Sequence, residues 1–198
     1  MLNFKHLLTR TLLAFALATG VGAALAGPTY HVDVDTTTLA GSTGYLDFLM
    51  TDQGDAAFTT ATLSHFSGDF GADTIYSGVA GGSAATGGTV STGGGWNELG
   101  LWANFGGRFS FDVTFEQATD SMIGSLFQVA LLAENLGYLA PTSGSIAEFA
   151  LQPGQAIGLT PSAYATISLV AEVPEPADWM MMLTGLALLG FTLRRRVQ

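Results

Sequence analysis

Residues 108–116 constrain this chain more than any other stretch. Phe109, Phe111, Val113 and Phe115 are apolar, and Arg108, Ser110, Asp112, Thr114 and Glu116 between them are polar. Strict alternation is the two-residue period of a strand with one buried and one solvated face, and a helix cannot use it. Residues 30–35 repeat the pattern, with Tyr30, Val32 and Val34 opposite His31, Asp33 and Asp35. Further strand candidates are 45–50, 58–66, 74–79, 96–104, 122–132, 146–151 and 164–170, punctuated by Gly, Pro, Asp and Ser clusters. The apolar run in 122–134 suits a buried helix as well as a strand, because periodicity does not separate them. No long stretch holds a 3.6-residue period. Short strands with frequent turns predict an all-β fold, a single β-sandwich of jelly-roll-like type.

The two ends are of another kind. Lys5 and Arg10 form a positive n-region, 12–25 is apolar, and Ala24-Leu25-Ala26 fits the small-x-small rule. This predicts a signal peptide over 1–26, cleaved before Gly27; the alternative is an uncleaved signal anchor, for which the apolar stretch is short. At the other end Pro174-Glu175-Pro176 precedes an apolar run over 179–193, closed by Arg194, Arg195 and Arg196. A short apolar helix followed by arginines is a membrane stop, with the arginines on the cytoplasmic side. Fifteen residues span roughly 22 Å against a hydrocarbon core near 30 Å, so thinning and arginine snorkelling must make up the difference. What remains is an exported domain over 27–173, of ordinary size and able to bury a core. The prolines end its last strand stiffly.

The 174–198 segment resembles the PEP-CTERM sorting signal of Gram-negative bacteria. The proline–glutamate–proline motif, the single transmembrane stretch and the basic tail are all present, and Gly190 stands where that family has a small residue. The resemblance covers only this tail. It implies recognition at Pro174, Glu175 and Pro176 by an exosortase-like membrane transpeptidase, after the secretion machinery and signal peptidase have acted. It further implies a transient inner-membrane anchor, then delivery to the cell surface or to an extracellular polysaccharide matrix. The rival reading of the same residues is a plain anchor that is never removed.

Charge narrows the partners. Only Arg108 of the six basic residues falls within 27–173, against fourteen carboxylates, a formal charge of −13. Nucleic acid is excluded, since phosphate neutralisation needs Lys and Arg, and a grip on anionic headgroups is disfavoured. There is no cysteine, which removes thiol catalysis and thiolate metal sites.

Candidate chemistry is sparse. The domain has no Gly-x-Ser-x-Gly elbow, and His31 and His65 sit in strands as surface residues would. Asp112 and Glu116 share a strand face but lie about 13 Å apart along it, long for a hydrolytic pair. The Gly-rich stretch 81–95 lacks the lysine and the strand–loop–helix frame of a phosphate loop and reads as a flexible surface loop. Asp47, Asp52, Asp55, Asp69 and Asp73 lie in or beside turns, which suits calcium, with ordinary Asx turns as the alternative. Trp96 and Trp102, with Phe105 and the amides of Asn97 and Asn104, would form a sugar-stacking platform if exposed; aromatic residues more often fill sandwich cores. The expectation is a structural, non-catalytic surface or matrix protein associated with exopolysaccharide and biofilm. Its alternatives are a carbohydrate-binding module, with calcium as its one candidate cofactor, and behind that a polysaccharide-active enzyme.

Overall fold

The computed structural model describes residues 27–170 except 53, 94, 119 and 140–143. The predicted leader with Ala24 and Ala26, the Pro174-Glu175-Pro176 motif, the 179–193 span and Arg194, Arg195 and Arg196 lie outside the described residues.

Two antiparallel six-stranded sheets face each other, and no α-helix occurs among the described residues. The strands are β1 (Thr29–Asp35), β2 (Thr43–Asp52), β3 (Thr59–Ser67), β4 (Phe70–Ser77), β5 (Ala80–Ser83) and β6 (Gly87–Ser91), then β7 (Trp96–Asn104), β8 (Arg108–Gln117), β9 (Ser125–Ala133), β10 (Ser145–Leu151), β11 (Gly158–Pro161) and β12 (Ala165–Leu169). One sheet runs β12-β1-β8-β3-β6-β5, the other β11-β10-β9-β2-β7-β4. The pairs β1–β8, β2–β7 and β3–β6 are nested, so the chain alternates between sheets as it winds inward and out again.

The alternation that defines β8 is the pattern of its burial: Phe109, Phe111, Val113 and Phe115 are buried and the residues between them are not. Their rings meet those of the opposite sheet. Phe111 packs edge-on against Phe48 of β2 at 4.9 Å, and Phe115 meets Phe127 of β9 at 5.4 Å and Phe149 of β10 at 5.2 Å. Such edge-to-face and tilted pairs add to the area they bury and hold the sheets together.

Two segments differ from expectation or resolve it. Residues 122–134 hold a strand, β9, at the centre of its sheet between β10 and β2. Phe127, Val129 and Leu131 face the core, while Ala130 and Leu132 are also buried on the opposite face. A strand covered on both sides reads as a continuous apolar run, which is why its period was ambiguous.

The Gly-rich 81–95 stretch is not simply a flexible loop. It carries most of the β5–β6 hairpin, joined by a turn at residues 84–86. Glycine is needed there for close approach: a Cβ on Gly82 would lie 2.4 Å from the Gly87 carbonyl oxygen, and Gly82 has φ +133. Val90 of β6 is fully buried in the core. The strand β11 carries no alternation, because all four of its residues are exposed on a sheet edge.

Candidate functional site

The outward-facing positions of the β2 sheet carry an unusual set of side chains. Across β7, β2, β9 and β10 the register aligns Glu98, Leu49, Gln128 and Glu148 in one row. The adjacent row is Gly100, Asp47, Ala130 and Ser145. These positions alternate with the core-facing Leu46, Phe48, Leu99, Phe127 and Val129, so pleating alone puts them on one face.

The segment after β9 turns back alongside it in the plane of the sheet. Leu139 N donates to the Leu131 carbonyl at 2.8 Å, and Tyr138 bridges to Leu132. Gly144, at φ +91, lets the Tyr138 ring lie close: a Cβ there would stand 2.9 Å from the ring. On the outer face between this returning segment and β7 is a cavity of about 290 Å³, lined among others by Asp47, Trp96, Glu98, Gln128 and Tyr138. Its two aromatic side chains are open to solvent, Trp96 at 52% and Tyr138 at 61% exposure.

The polar groups of this trough are held in place. Trp96 Nε1 donates to Glu98 Oε2 at 3.1 Å, which orients the indole. Gln128 Nε2 donates to Ser145 Oγ at 2.9 Å and to Glu148 Oε1 at 3.0 Å, and Ser145 Oγ donates to the same carboxylate oxygen at 2.7 Å. Asp47 is only 4% exposed, and its Oδ1 has no hydrogen-bond partner. Burial first, and then the neighbouring Glu98 carboxylate, push its carboxyl up to about 8 against a weaker pull from the Phe48 amide. At neutral pH Asp47 is therefore a neutral acid, able to donate and to accept. Two open rings beside fixed amide, carboxyl and carboxylate groups form a surface that can stack an apolar sugar face and bond its hydroxyls.

The residues singled out in the sequence are dispersed over the molecule. Trp96 lines the trough, and neither tryptophan belongs to the inter-sheet core. Trp102 lies on the same outer face, about 20 Å further along β7, packed edge-on against Tyr45 at 5.2 Å. Phe105 is in the core. Asn97 is buried, its Oδ1 accepting from Val79 N at 2.8 Å, and Asn104 is exposed at the end of β7. The two tryptophans thus form no common platform.

Of the five aspartates, only Asp47 lines this cavity. Asp52 ends β2 and accepts from Gly93 N at 3.1 Å; Asp55 occupies a turn at φ 68. Asp69 is exposed between β3 and β4, and Asp73, in β4, accepts from Tyr45 Oη at 3.3 Å. Among the described residues no three carboxylates or histidines gather as a group that could hold a metal.

His31 and His65 are brought together on the other sheet. Their Nδ1 atoms lie 2.6 Å and 2.9 Å from the two oxygens of Asp112, which occupies Asp112 and sets it apart from Glu116 on β8. Gly27 stands beside Phe115 at the start of the described chain.

Glu98, Gln128, Tyr138 and Glu148 were not legible as site residues in the sequence. A signal existed for one of them: Trp96 and Glu98 are two apart in a strand, so whatever face shows the indole also shows the carboxylate. The chain matches no family model, and no significant match is found among curated proteins or solved structures.

Proposed function

We propose that this chain is an exported, non-catalytic surface or matrix protein whose sandwich binds glycan in the trough lined by Trp96 and Tyr138. One observation carries the binding reading: two open aromatic rings line the same cavity as Asp47, Glu98 and Gln128. Export and sorting rest on the two ends: a signal peptide over 1–26, and a PEP-CTERM-like segment over 174–198 read by an exosortase-like transpeptidase through Pro174, Glu175 and Pro176. The nested strand pairs are the winding of a jelly roll, extended by β9, β10 and β11 at one sheet edge and by β12 at the other.

Cleavage is disfavoured by the geometry of the acids. Glycoside hydrolysis leaves a gap of about 5–9.5 Å between two carboxyl groups, for the sugar or a water. Glu98 instead lies near enough to Asp47 to raise its carboxyl, and Asp47 is nearly sealed. The trough can bind a chain without a way to break it.

The test is binding of the full chain, kept in non-ionic detergent, to immobilised and soluble polysaccharides. Trp96→Ala and Tyr138→Ala should each weaken binding roughly tenfold or more, about 1.4 kcal/mol. Binding should persist in EDTA, because the aspartates that would hold calcium are scattered. Wild-type affinity in both variants would defeat the glycan reading and leave a structural role. Intact mass of the native protein tests sorting separately: an external form beginning at Gly27 and ending near Pro174 supports it, and a membrane-held form still ending at Gln198 contradicts it.

A further inference from the structure

We propose that the end of the sandwich from which both ends of the described chain leave is a membrane-contact surface, on which Phe58, Met122 and Ile123 sit among the zwitterionic headgroups of the bilayer that holds the C-terminal apolar run. The inference rests on the reading of 179–193 as a membrane span and adds which part of the domain meets the lipid.

Topology fixes what shares this end. Thr59 at the start of β3 pairs with Gln117 at the end of β8, and Asp52 at the end of β2 pairs with Ser125 at the start of β9. The β2–β3 and β8–β9 connections therefore lie side by side. Thr29 at the start of β1 and Leu169 at the end of β12 are there too, since Thr29 pairs with Thr114 of β8 and Leu169 with Tyr30. Val170 N donates to the Thr29 carbonyl at 2.8 Å. The chain thus enters from the predicted leader and exits toward the apolar run at the same end.

This end carries apolar side chains that the fold leaves outside. Met122 is 80% exposed, Phe58 55% and Ile123 41%. Val79 before β5, and Leu169 and Val170 beside the β12 edge, continue the row and are also exposed. The row follows the strand order from β12 to β5, roughly 24 Å at about 4.8 Å per strand. Hydrogen bonds hold its centre in shape. Ala57 N donates to the Ile123 carbonyl at 3.0 Å, Ala118 N to the Phe58 carbonyl at 2.8 Å, and Ser121 Oγ to the Asp55 carbonyl at 2.7 Å. In the loops of the far end, the exposed large apolar side chains among the described residues are Leu136 and Tyr138, both from the segment after β9. Apolar side chains gathered at one end and fixed outward mark a contact surface.

The tether says what covers it. Residues 171–178 separate Val170 from the apolar run and, fully extended, reach at most roughly 30 Å. The ten residues of β8 alone cover roughly 33 Å. The far end therefore cannot be the one turned to the bilayer, because the tether would have to run back along the whole sandwich. Charge sets the kind of lipid. Asp52, Asp55 and Asp120 flank the row, and Arg108 sits at the far end, its Nη2 3.2 Å from Asp35. Anionic headgroups would be repelled, so the contact is apolar, at the headgroup–acyl boundary of zwitterionic lipid. Tethering raises the effective concentration of the two surfaces to about millimolar, so a few side chains suffice. Once the tether is cut, the same contact is too weak to hold the domain.

The chain has no cysteine, so single labels can be placed in the full chain. Met122→Cys and, at the far-end β5–β6 turn, Ala85→Cys each receive an environment-sensitive fluorophore and are reconstituted in phosphatidylcholine vesicles carrying nitroxide-labelled lipid. Flotation with the vesicles checks the span. The label at 122 should be quenched by the lipid nitroxide and the label at 85 should not. Adding Phe58→Ser and Ile123→Ser to Met122→Cys should abolish the quenching while the melting temperature holds. Quenching at 122 should weaken when half the lipid is phosphatidylglycerol at low salt. Floated protein with neither label quenched, or with both quenched alike, would overturn the membrane contact and leave the span standing. A label at 122 shielded from water but not quenched, in proportion to protein density, would mean that a second copy covers this end, and would also overturn it. Failure to float would overturn the span and the contact together.

Discussion

At pH 7 the Asp47 carboxyl keeps its proton in the folded chain and loses it on unfolding. Its folded value is about 8 against an ordinary 3.8, raised first by burial and then by Glu98. Between those values the unfolded state binds fewer protons than the folded one, so this group's contribution to stability falls as pH rises through the window and levels off above it. Asp47→Asn keeps the shape and removes the titration. It should stabilise the chain by roughly 2–4 kcal/mol at pH 7, at about 1.4 kcal/mol per pH unit, and the gain should vanish near pH 4. Denaturant unfolding of both proteins across that range is the check; parallel pH curves would mean that Asp47 ionises freely in the folded state. That a group so costly is retained on an outward strand position fits a binding role better than a structural one. Nothing at the residue scale announced this in the sequence. Asp47 reads as one aspartate among five near turns, whereas the structure puts it mid-strand in β2, between β7 and β9, where strand pairing that only the tertiary fold supplies sets it opposite Gly100 and Ala130.

Elements were legible where one strand face is wet and the other dry. β1, β7 and β8 declare themselves because Val32, Leu99 and Phe111 alternate with polar or smaller residues facing outward. β9 was ambiguous because both faces are covered, and β11 was silent because neither is. The β5–β6 hairpin was misread because glycine signals freedom in a sequence and close approach in a fold. The two meanings separate at adjacent positions. Gly82 has φ +133, and its added Cβ would fall 2.4 Å from backbone atoms of Gly87 and Gly88; Gly81 has open space around it. Gly82→Ala should therefore cost about 1–3 kcal/mol, whereas Gly81→Ala should be neutral or stabilise slightly. Thermal melting of the two variants side by side decides it, because a disordered loop would treat the substitutions alike. The same argument applies at Gly144, which admits the Tyr138 ring, so the placing of one of the two aromatic walls of the trough depends on a residue whose side chain is absent.

The whole molecule is an acidic shell around an aromatic core. The Phe48, Phe111, Phe115, Phe127 and Phe149 rings tie two sheets from strands far apart in sequence, and fourteen carboxylates within 27–173 face a single arginine. Composition made that imbalance plain, and alternation made the sandwich plain; the pairing order of twelve strands, which creates the trough, was in neither. A charge of −13 repels itself in the compact state more than in the expanded one. Salt should consequently stabilise this protein, since screening weakens the repulsion and the Arg108–Asp35 contact is the one arginine–carboxylate pair among the described residues that it could weaken. The melting temperature should rise by several degrees between about 10 mM and 300 mM sodium chloride, followed by calorimetry at constant pH. Calcium chloride at matched ionic strength should give no more than the same rise, because Asp52, Asp55, Asp69 and Asp73 do not converge with Asp47 on any point. A clearly larger rise with calcium would mean that carboxylates scattered here come together around the ion, and the trough would then have to be reconsidered as part of a metal-dependent surface.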